Sequence, residues 1–173
     1  TCIVQSSSAT LGITMGLAIN GIIGFETAAA LVLGENIGTT ITAFLASLGA
    51  PTNAKRAAYS HIIFNVIGVL WITALFPYYL DLVKAVIGCD PNTVAVVDGV
   101  DTLPNIRRGI AFVHSGFNVV NTLLFLPFVS VMAMVVTKLV PDQTKKETPH
   151  LTYLDVRMLD AGSIGIHESD IEV

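Results

Sequence analysis

Gly34-Glu35-Asn36-Ile37-Gly38-Thr39-Thr40 places two glycines, a carboxylate, an amide and two hydroxyls inside an otherwise apolar run from Ile22 to Ala50. A plain membrane helix does not have that composition. Glycine weakens helix propagation, and in hydrocarbon every freed N–H or C=O is costly unless a polar partner or a cavity satisfies it. The stretch therefore predicts a helix broken at mid-membrane, with Gly34 and Gly38 at the break, and a break at that depth reads as a binding site. Just upstream, Gln5-Ser6-Ser7-Ser8-Ala9-Thr10 lies as a second polar interruption between apolar flanks. Two oxygen-rich interruptions so close in sequence predict one pocket for a small ion or oxyanion.

The overall composition sets the solvent. The chain has 173 residues, 53% of them hydrophobic and 13% charged, with a mean hydropathy of +0.71. An average soluble domain carries about 25% charged residues, so an integral membrane protein in a lipid bilayer is expected. The net charge of −4 comes mostly from one loop and the C-terminal stretch, and with no basic cluster nothing points to nucleic acid. Two cysteines make no disulfide framework, and Cys2 in an apolar segment and Cys89 in a loop read as free thiols. Thr1-Cys2-Ile3-Val4 has no charged leader before it and reads as the severed end of an upstream helix rather than a signal peptide. His150 to Val173 is polar and acidic, so the chain reads as a fragment of something longer.

Ala9 to Asn20 is apolar but only about twelve residues long, against the roughly 20 that a spanning helix needs. It is expected to form half of a re-entrant hairpin, with Gln5 to Ser8 at the tip and Asn20-Gly21 turning into the next element. Ile22 to Gly49 is the expected discontinuous helix, ended by Ala50-Pro51-Thr52-Asn53, with Lys55-Arg56 in a short polar connection. Ala57 to Leu80 is the next span, with Trp71 and Tyr78-Tyr79 as interfacial anchors and Pro77 closing or kinking it. Asp81 to Arg108 reads as an extramembrane loop with turns at Asp90-Pro91-Asn92 and Asp98-Gly99 and a short strand within Thr93 to Val97. Arg107-Arg108 open a third span, Gly109 to about Val136, with Pro127 as a bend.

Basic residues near the span ends give an orientation. Lys55, Arg56, Lys138, Lys145 and Lys146 share one face, expected to be cytoplasmic, while Lys84, Arg107 and Arg108 share the other with Asp81, Asp90, Asp98 and Asp101. An internal repeat is also visible. Ala58-Tyr59-Ser60-His61-Ile62-Ile63-Phe64-Asn65-Val66 matches Ala111-Phe112-Val113-His114-Ser115-Gly116-Phe117-Asn118-Val119 at Ala, His, Phe, Asn and Val. His and Asn four apart share one helix face, and in a membrane that polar face turns toward the protein interior.

Each motif has a plainer reading beside the functional one. Serines in membrane helices often mark close packing, but three in succession after a glutamine point round most of a helix, so a hairpin tip accounts better for Gln5, Ser6, Ser7 and Ser8. Its N–H groups and hydroxyls suit an oxyanion, and its oxygens a hard cation. Gly34 and Gly38 have the small-x-x-x-small spacing of helix crossings, yet Glu35 and Asn36 at that depth are not explained by packing. Unwound carbonyls with Asn36, Thr39 and Thr40 suit Na+, while Glu35 fits a ligand, a proton carrier, or a side chain that snorkels or pairs elsewhere. For His61 and His114, interhelical hydrogen bonding outweighs metal binding, because no Cys, Asp or second His stands at ligand spacing. No Ser-His-Asp order, zinc-ligand cluster or phosphate loop is present. A non-enzymatic chain is expected, with no catalytic residues, no cofactor and no metal beyond a coupling Na+.

Gln5 to Thr10, Gly34 to Thr40 and the Ala-x-x-His-x-x-Phe-Asn repeat together resemble the type II sodium/phosphate cotransporters, closest to the bacterial members, over roughly Thr1 to Pro141. The resemblance implies two inverted repeats, each giving a Gln-Ser-Ser-Ser hairpin to one central site for phosphate and Na+. One such motif is present here, so the chain looks like the second repeat, residues 1–140, truncated at its N-terminus and lacking its N-terminal repeat partner. Residues 141–173 look like a cytoplasmic tail, with His150 to Leu159 as the lead-in to a missing regulatory domain.

The expected fold is an all-α polytopic membrane protein: a re-entrant hairpin, a discontinuous helix and two further transmembrane spans, forming one half of an inverted-repeat transporter. The expected function is sodium-coupled phosphate symport across the cell membrane by alternating access, a secondary active transport. Gln5, Ser6, Ser7 and Ser8 would bind the substrate and Asn36, Thr39 and Thr40 the sodium. Transport of another small oxyanion or dicarboxylate, or a membrane-embedded phosphate-binding regulatory protein, are the alternatives.

Overall fold

Apolar chain in a membrane must satisfy its backbone internally, and helices do so within a single segment. A computed structural model of the chain describes residues 1–97 and 100–142. In order they form α1 (Ser7–Ile19), α2 (Phe25–Ser47), α3 (Thr52–Ala74), α4 (Phe76–Ile87), a hairpin of β1 (Ala95–Val97) and β2 (Val100–Thr102), α5 (Ile106–Phe125), a 3₁₀ turn Leu126–Phe128 and α6 (Val129–Leu139). Among the described residues three stretches are long and apolar enough to cross a membrane: α2, α3, and Ile106–Leu139. At a rise of 1.5 Å per residue a helix the length of α2 reaches about 35 Å, more than the ~30 Å hydrocarbon core. The described chain is that of a mostly helical membrane protein. The expected tail and the Asp98-Gly99 turn lie outside the described residues.

The discontinuous helix is not found: α2 runs unbroken through Gly34 and Gly38. A helix-interior glycine costs only about 1 kcal/mol against alanine, and the polar side chains satisfy themselves without unwinding. Asn36, Thr39 and Thr40 each bond a carbonyl three or four residues back in the same helix. The two glycines then differ. A side chain at Gly34 would meet nothing, whereas a Cβ at Gly38 would sit 2.9 Å from Thr1 Cβ, so only Gly38 permits a close approach.

The second span is shifted. α3 begins at Thr52, five residues before the expected Ala57, and carries Lys55 and Arg56 on its first turns rather than in a connection. It ends at Ala74 because Pro77 has no N–H to give Thr73 and its ring crowds that carbonyl. Pro77 instead starts α4, which takes up Asp81 to Ile87, the first part of the expected loop. Further along, β1 falls within the expected strand and pairs antiparallel with β2, Ala95 opposite Thr102. Pro127 interrupts the third span with the 3₁₀ turn between α5 and α6.

Hydrogen bonds fix which ends lie together. Arg56 Nε donates to the Val140 carbonyl at 2.9 Å and Arg56 Nη2 lies 3.1 Å from Asp142, joining the start of α3 to the end of α6. At the opposite end Lys84 pairs with Glu26 at 3.3 Å, and Asn92 bonds both Glu26 and the Phe25 N–H. The grouping of Arg56 with the end of the last span, and of Lys84 with the loop, is therefore observed. The buried core lies toward the loop end, where Phe25, Ala29 and Val32 of α2 meet Val83 of α4 and Ile110, Val113 and Phe117 of α5. There Gly109 passes under Pro91 and the Phe25 ring, and a Cβ at that position would lie 2.6 Å from Pro91 Cγ.

Candidate functional site

The polar interruptions converge. Ser7 of α1, Glu35, Asn36 and Thr39 of α2, His61, Phe64 and Asn65 of α3, and His114 and Asn118 of α5 line one cavity of about 230 Å³. These residues fall near the middle of α2, α3 and α5, so the cavity sits at mid-depth between three helices of spanning length. α1 reaches it from the side. Its N-terminus stands beside the middle of α2, and its C-terminal end, Ile19 with Asn20 and Gly21, reaches the β-hairpin.

The local geometry at the start of α1 follows from its serines. Gln5 is held in the left-handed region, φ +56°, and its side-chain amide donates to the Cys2 carbonyl. Ser6 is the N-cap, its hydroxyl accepting from the Ala9 N–H at 3.3 Å. The Thr10 N–H bonds the Ser6 carbonyl, which leaves the Ser7 and Ser8 N–H groups without partners inside the helix. With the helix dipole behind them, these N–H groups favour an anion. Of the four residues expected to bind substrate, Ser7 lines the cavity, whereas Gln5, Ser6 and Ser8 lie outside its wall.

Of the three residues expected to hold sodium, Asn36 and Thr39 line the cavity and Thr40 does not; the Thr40 hydroxyl is buried against the Ile37 carbonyl at 2.7 Å. Glu35, left open by its sequence context, is 6% exposed. Its Oε1 accepts from the Thr14 hydroxyl of α1 at 3.0 Å, while Oε2 is buried with no partner among the described residues. The histidines depart from expectation too. Neither His61 nor His114 makes an interhelical hydrogen bond among the described residues; both line the cavity, and His114 Nδ1 is buried and unpartnered there. The signal for them was the repeat itself, since polar groups recurring inside membrane spans mark functional interiors more often than packing.

Two other hollows lack this chemistry. A cleft of about 730 Å³ between the end of α1 and the hairpin has Arg107 as its one charged wall residue among the described residues. An apolar groove of about 470 Å³ runs between α3 and the 3₁₀ turn with α6.

The family model described as Na+/Pi-cotransporter matches residues 1–89. Among curated relatives, "Uncharacterized protein YqeW" of Bacillus subtilis is 37% identical over 82% of this chain and 41% of its own length. "Putative inorganic phosphate export protein YjbB" of Escherichia coli is 30% identical over 95% of this chain and 27% of its own. Human "Sodium-dependent phosphate transport protein 2B" is 47% identical over 40% of this chain and 11% of its own. The chain thus spans well under half the length of these relatives. No solved structure matches it. With the match covering the Gln5 to Ser8 and Gly34 to Thr40 stretches and the first copy of the His-x-x-Phe-Asn repeat, this chain belongs to the Na+/Pi-cotransporter family.

Proposed function

We propose that the chain is one half of a sodium-coupled inorganic phosphate symporter of the cell membrane, working by alternating access. The observation that carries this reading is the mid-depth cavity, where an anion-favouring helix N-terminus, at Ser7, adjoins an oxygen-lined wall bearing Asn36 and Thr39. Phosphate would dock against the Ser7 hydroxyl and the free N–H groups at the start of α1, and Na+ against Asn36 and Thr39. The names of the Escherichia coli and human relatives, one an exporter of inorganic phosphate and one a sodium-dependent phosphate transporter, support the substrate and the ion. No bond is made or broken in such a cycle. The two ions are coupled because an anion and a cation sharing one low-dielectric pocket each offset the other's charge.

In this reading residues 1–140 are the second of two inverted repeats, α1 is one arm of a re-entrant hairpin, and residues 141–173 begin a cytoplasmic region. The first repeat supplies the other half of the site. Direction follows the gradients, since a symport cycle runs either way, so export and uptake are the same mechanism under different loads.

Proteoliposomes holding the full-length transporter test the reading. An inward Na+ gradient should drive phosphate accumulation above equilibrium, and an equal K+ gradient should not. Phosphate binding without accumulation would instead indicate a regulatory protein, and Na+-driven uptake of sulfate or a dicarboxylate in preference would indicate the other substrate class.

A further inference from the structure

The two copies of the internal repeat carry Asn65 and Asn118, and both asparagines line the cavity. Each spends one of its two amide N–H donors on its own helix. Asn65 Nδ2 donates to the His61 carbonyl at 2.9 Å and Asn118 Nδ2 to the His114 carbonyl at 2.8 Å, as Asn36 Nδ2 does to the Val32 carbonyl at 3.2 Å. Only nitrogen can donate to a carbonyl, so in each case the Oδ1 atom is the one left uncommitted. Thr39 likewise spends its single hydroxyl proton on the Glu35 carbonyl at 2.9 Å, keeping lone pairs free. Glu35 adds Oε2, in a side chain more than nine-tenths buried and without a partner among the described residues. Facing these acceptors are the Ser7 hydroxyl and two imidazoles. Among these oxygens Glu35 Oε2 is the buried one without a donor among the described residues, and such a group is costly. A hard cation bound by oxygen ligands offsets that cost. Glu35, His61 and His114 do not form a three-residue cluster able to hold a metal ion among the described residues, which argues against a nitrogen-ligated transition metal.

Building on the sodium/phosphate reading above, we propose that Asn65 and Asn118 supply carbonyl-oxygen ligands to the coupling Na+, beside Asn36, Thr39 and Glu35 Oε2. The two repeat copies then deliver equivalent ligands from two different helices, and α2, α3 and α5 close on one cation. A cation held this way binds the closed arrangement of the helices more tightly than an open one, and differential binding of this kind is what drives a conformational cycle.

The full-length transporter is purified and two quantities are read: its thermal stabilisation by Na+ in a choline background without phosphate, and the Na+ half-saturation and Li+-for-Na+ preference of phosphate uptake. Asn65→Ala and Asn118→Ala are each expected to weaken Na+ about tenfold or more and to change the Li+/Na+ ratio, a readout that loss of packing would not move. If alanine lowers the folded yield, Asn65→Thr and Asn118→Thr keep a hydroxyl for the helix carbonyl and are read the same way. Wild-type Na+ affinity and cation preference in either well-folded pair would overturn the assignment. The two readings fail separately: a wild type that Na+ stabilises but that moves no phosphate sinks the transport reading, while asparagine variants that retain the full Na+ stabilisation sink the ligand assignment.

Discussion

The indole N–H of Trp71 on α3 donates to Asn121 Oδ1 on α5 at 3.0 Å, and Asn121 Nδ2 in turn donates to the Phe64 carbonyl of α3 at 3.3 Å. Asn121 is fully buried, and it fits because position 68 is glycine; a Cβ there would overlap the Asn121 amide. Trp71 is therefore part of an interhelical clamp. Hydrogen bonds within membrane bundles average about 0.6 kcal/mol and reach about 1.7, so Trp71→Phe should destabilise by that order. Gly68→Val should cost more, roughly 1–3 kcal/mol, because it overpacks the crossing. Unfolding of the purified protein in mixed detergent measures both. A Trp71→Phe variant of unchanged stability would mean the clamp contributes nothing.

Tyr79 on α4 is 8% exposed and its hydroxyl donates to the Val113 carbonyl at 2.7 Å. Burial pushes its phenol up to about 12, from an ordinary value near 10. The folded state thus keeps the neutral phenol where the unfolded chain would ionise it. Its contribution is complete below about pH 10 and is lost as the pH rises toward about 12. Tyr79→Phe should remove that alkaline loss and cost about 0.5–1.5 kcal/mol at neutral pH. A wild-type-minus-variant ultraviolet titration of tyrosinate checks the value; a difference spectrum rising near pH 10 would contradict it.

How far the residues alone foretold this arrangement depends on range. Span existence was legible from apolar length, and the half-length α1 from its shortness, because both rest on local composition. The depth shared by Ser7, Asn36 and Thr39 was legible as well, from where polar residues interrupt apolar runs. The expected break at Gly34 to Thr40 does not form, since glycine propensity is small beside the back-bonding of Asn36, Thr39 and Thr40 to their own helix. For His61 and His114 one sequence does not tell which neighbour a polar face meets; the cavity between α2, α3 and α5 is a long-range outcome. The Trp71 clamp is equally invisible to one sequence, its partner being 50 residues away.

The ion pairs define two ends of the helical bundle. Arg56 and the end of α6 share one, Lys84, Glu26 and the hairpin region the other. If the Arg56 end is cytoplasmic, a membrane-impermeant thiol reagent on intact cells should modify Thr93→Cys and leave Asn53→Cys untouched until the cells are opened, both positions being exposed. The background is the full-length protein with Cys2 and Cys89 replaced by serine. The reverse labelling pattern would invert the topology.

Neighbouring residues of identical type in the two polar stretches make the sharpest comparison, because the cavity separates them. Ser7 lines it and Ser8 does not; Thr39 lines it and Thr40 is tied to the Ile37 carbonyl. In the full-length transporter Ser7→Ala should weaken phosphate by a hydrogen bond to a charged group, roughly 1.5–3 kcal/mol, or about tenfold to a hundredfold. Ser8→Ala should leave the phosphate affinity near wild type, and Ser6→Ala should act on stability, at about 0.5–2 kcal/mol for loss of the N-cap. Thr39→Val should move the Na+ dependence of uptake while Thr40→Val does not. Because ligands sharing a pocket are linked, Ser7→Ala should also weaken Na+ in the presence of phosphate, and Thr39→Val should weaken phosphate at limiting Na+. Uptake titrated against both ions, with surface expression measured for each variant, decides it. Equal losses in Ser7 and Ser8 variants, or in Thr39 and Thr40 variants, would show that the cavity wall does not discriminate within either pair and would remove the basis for placing the ions there.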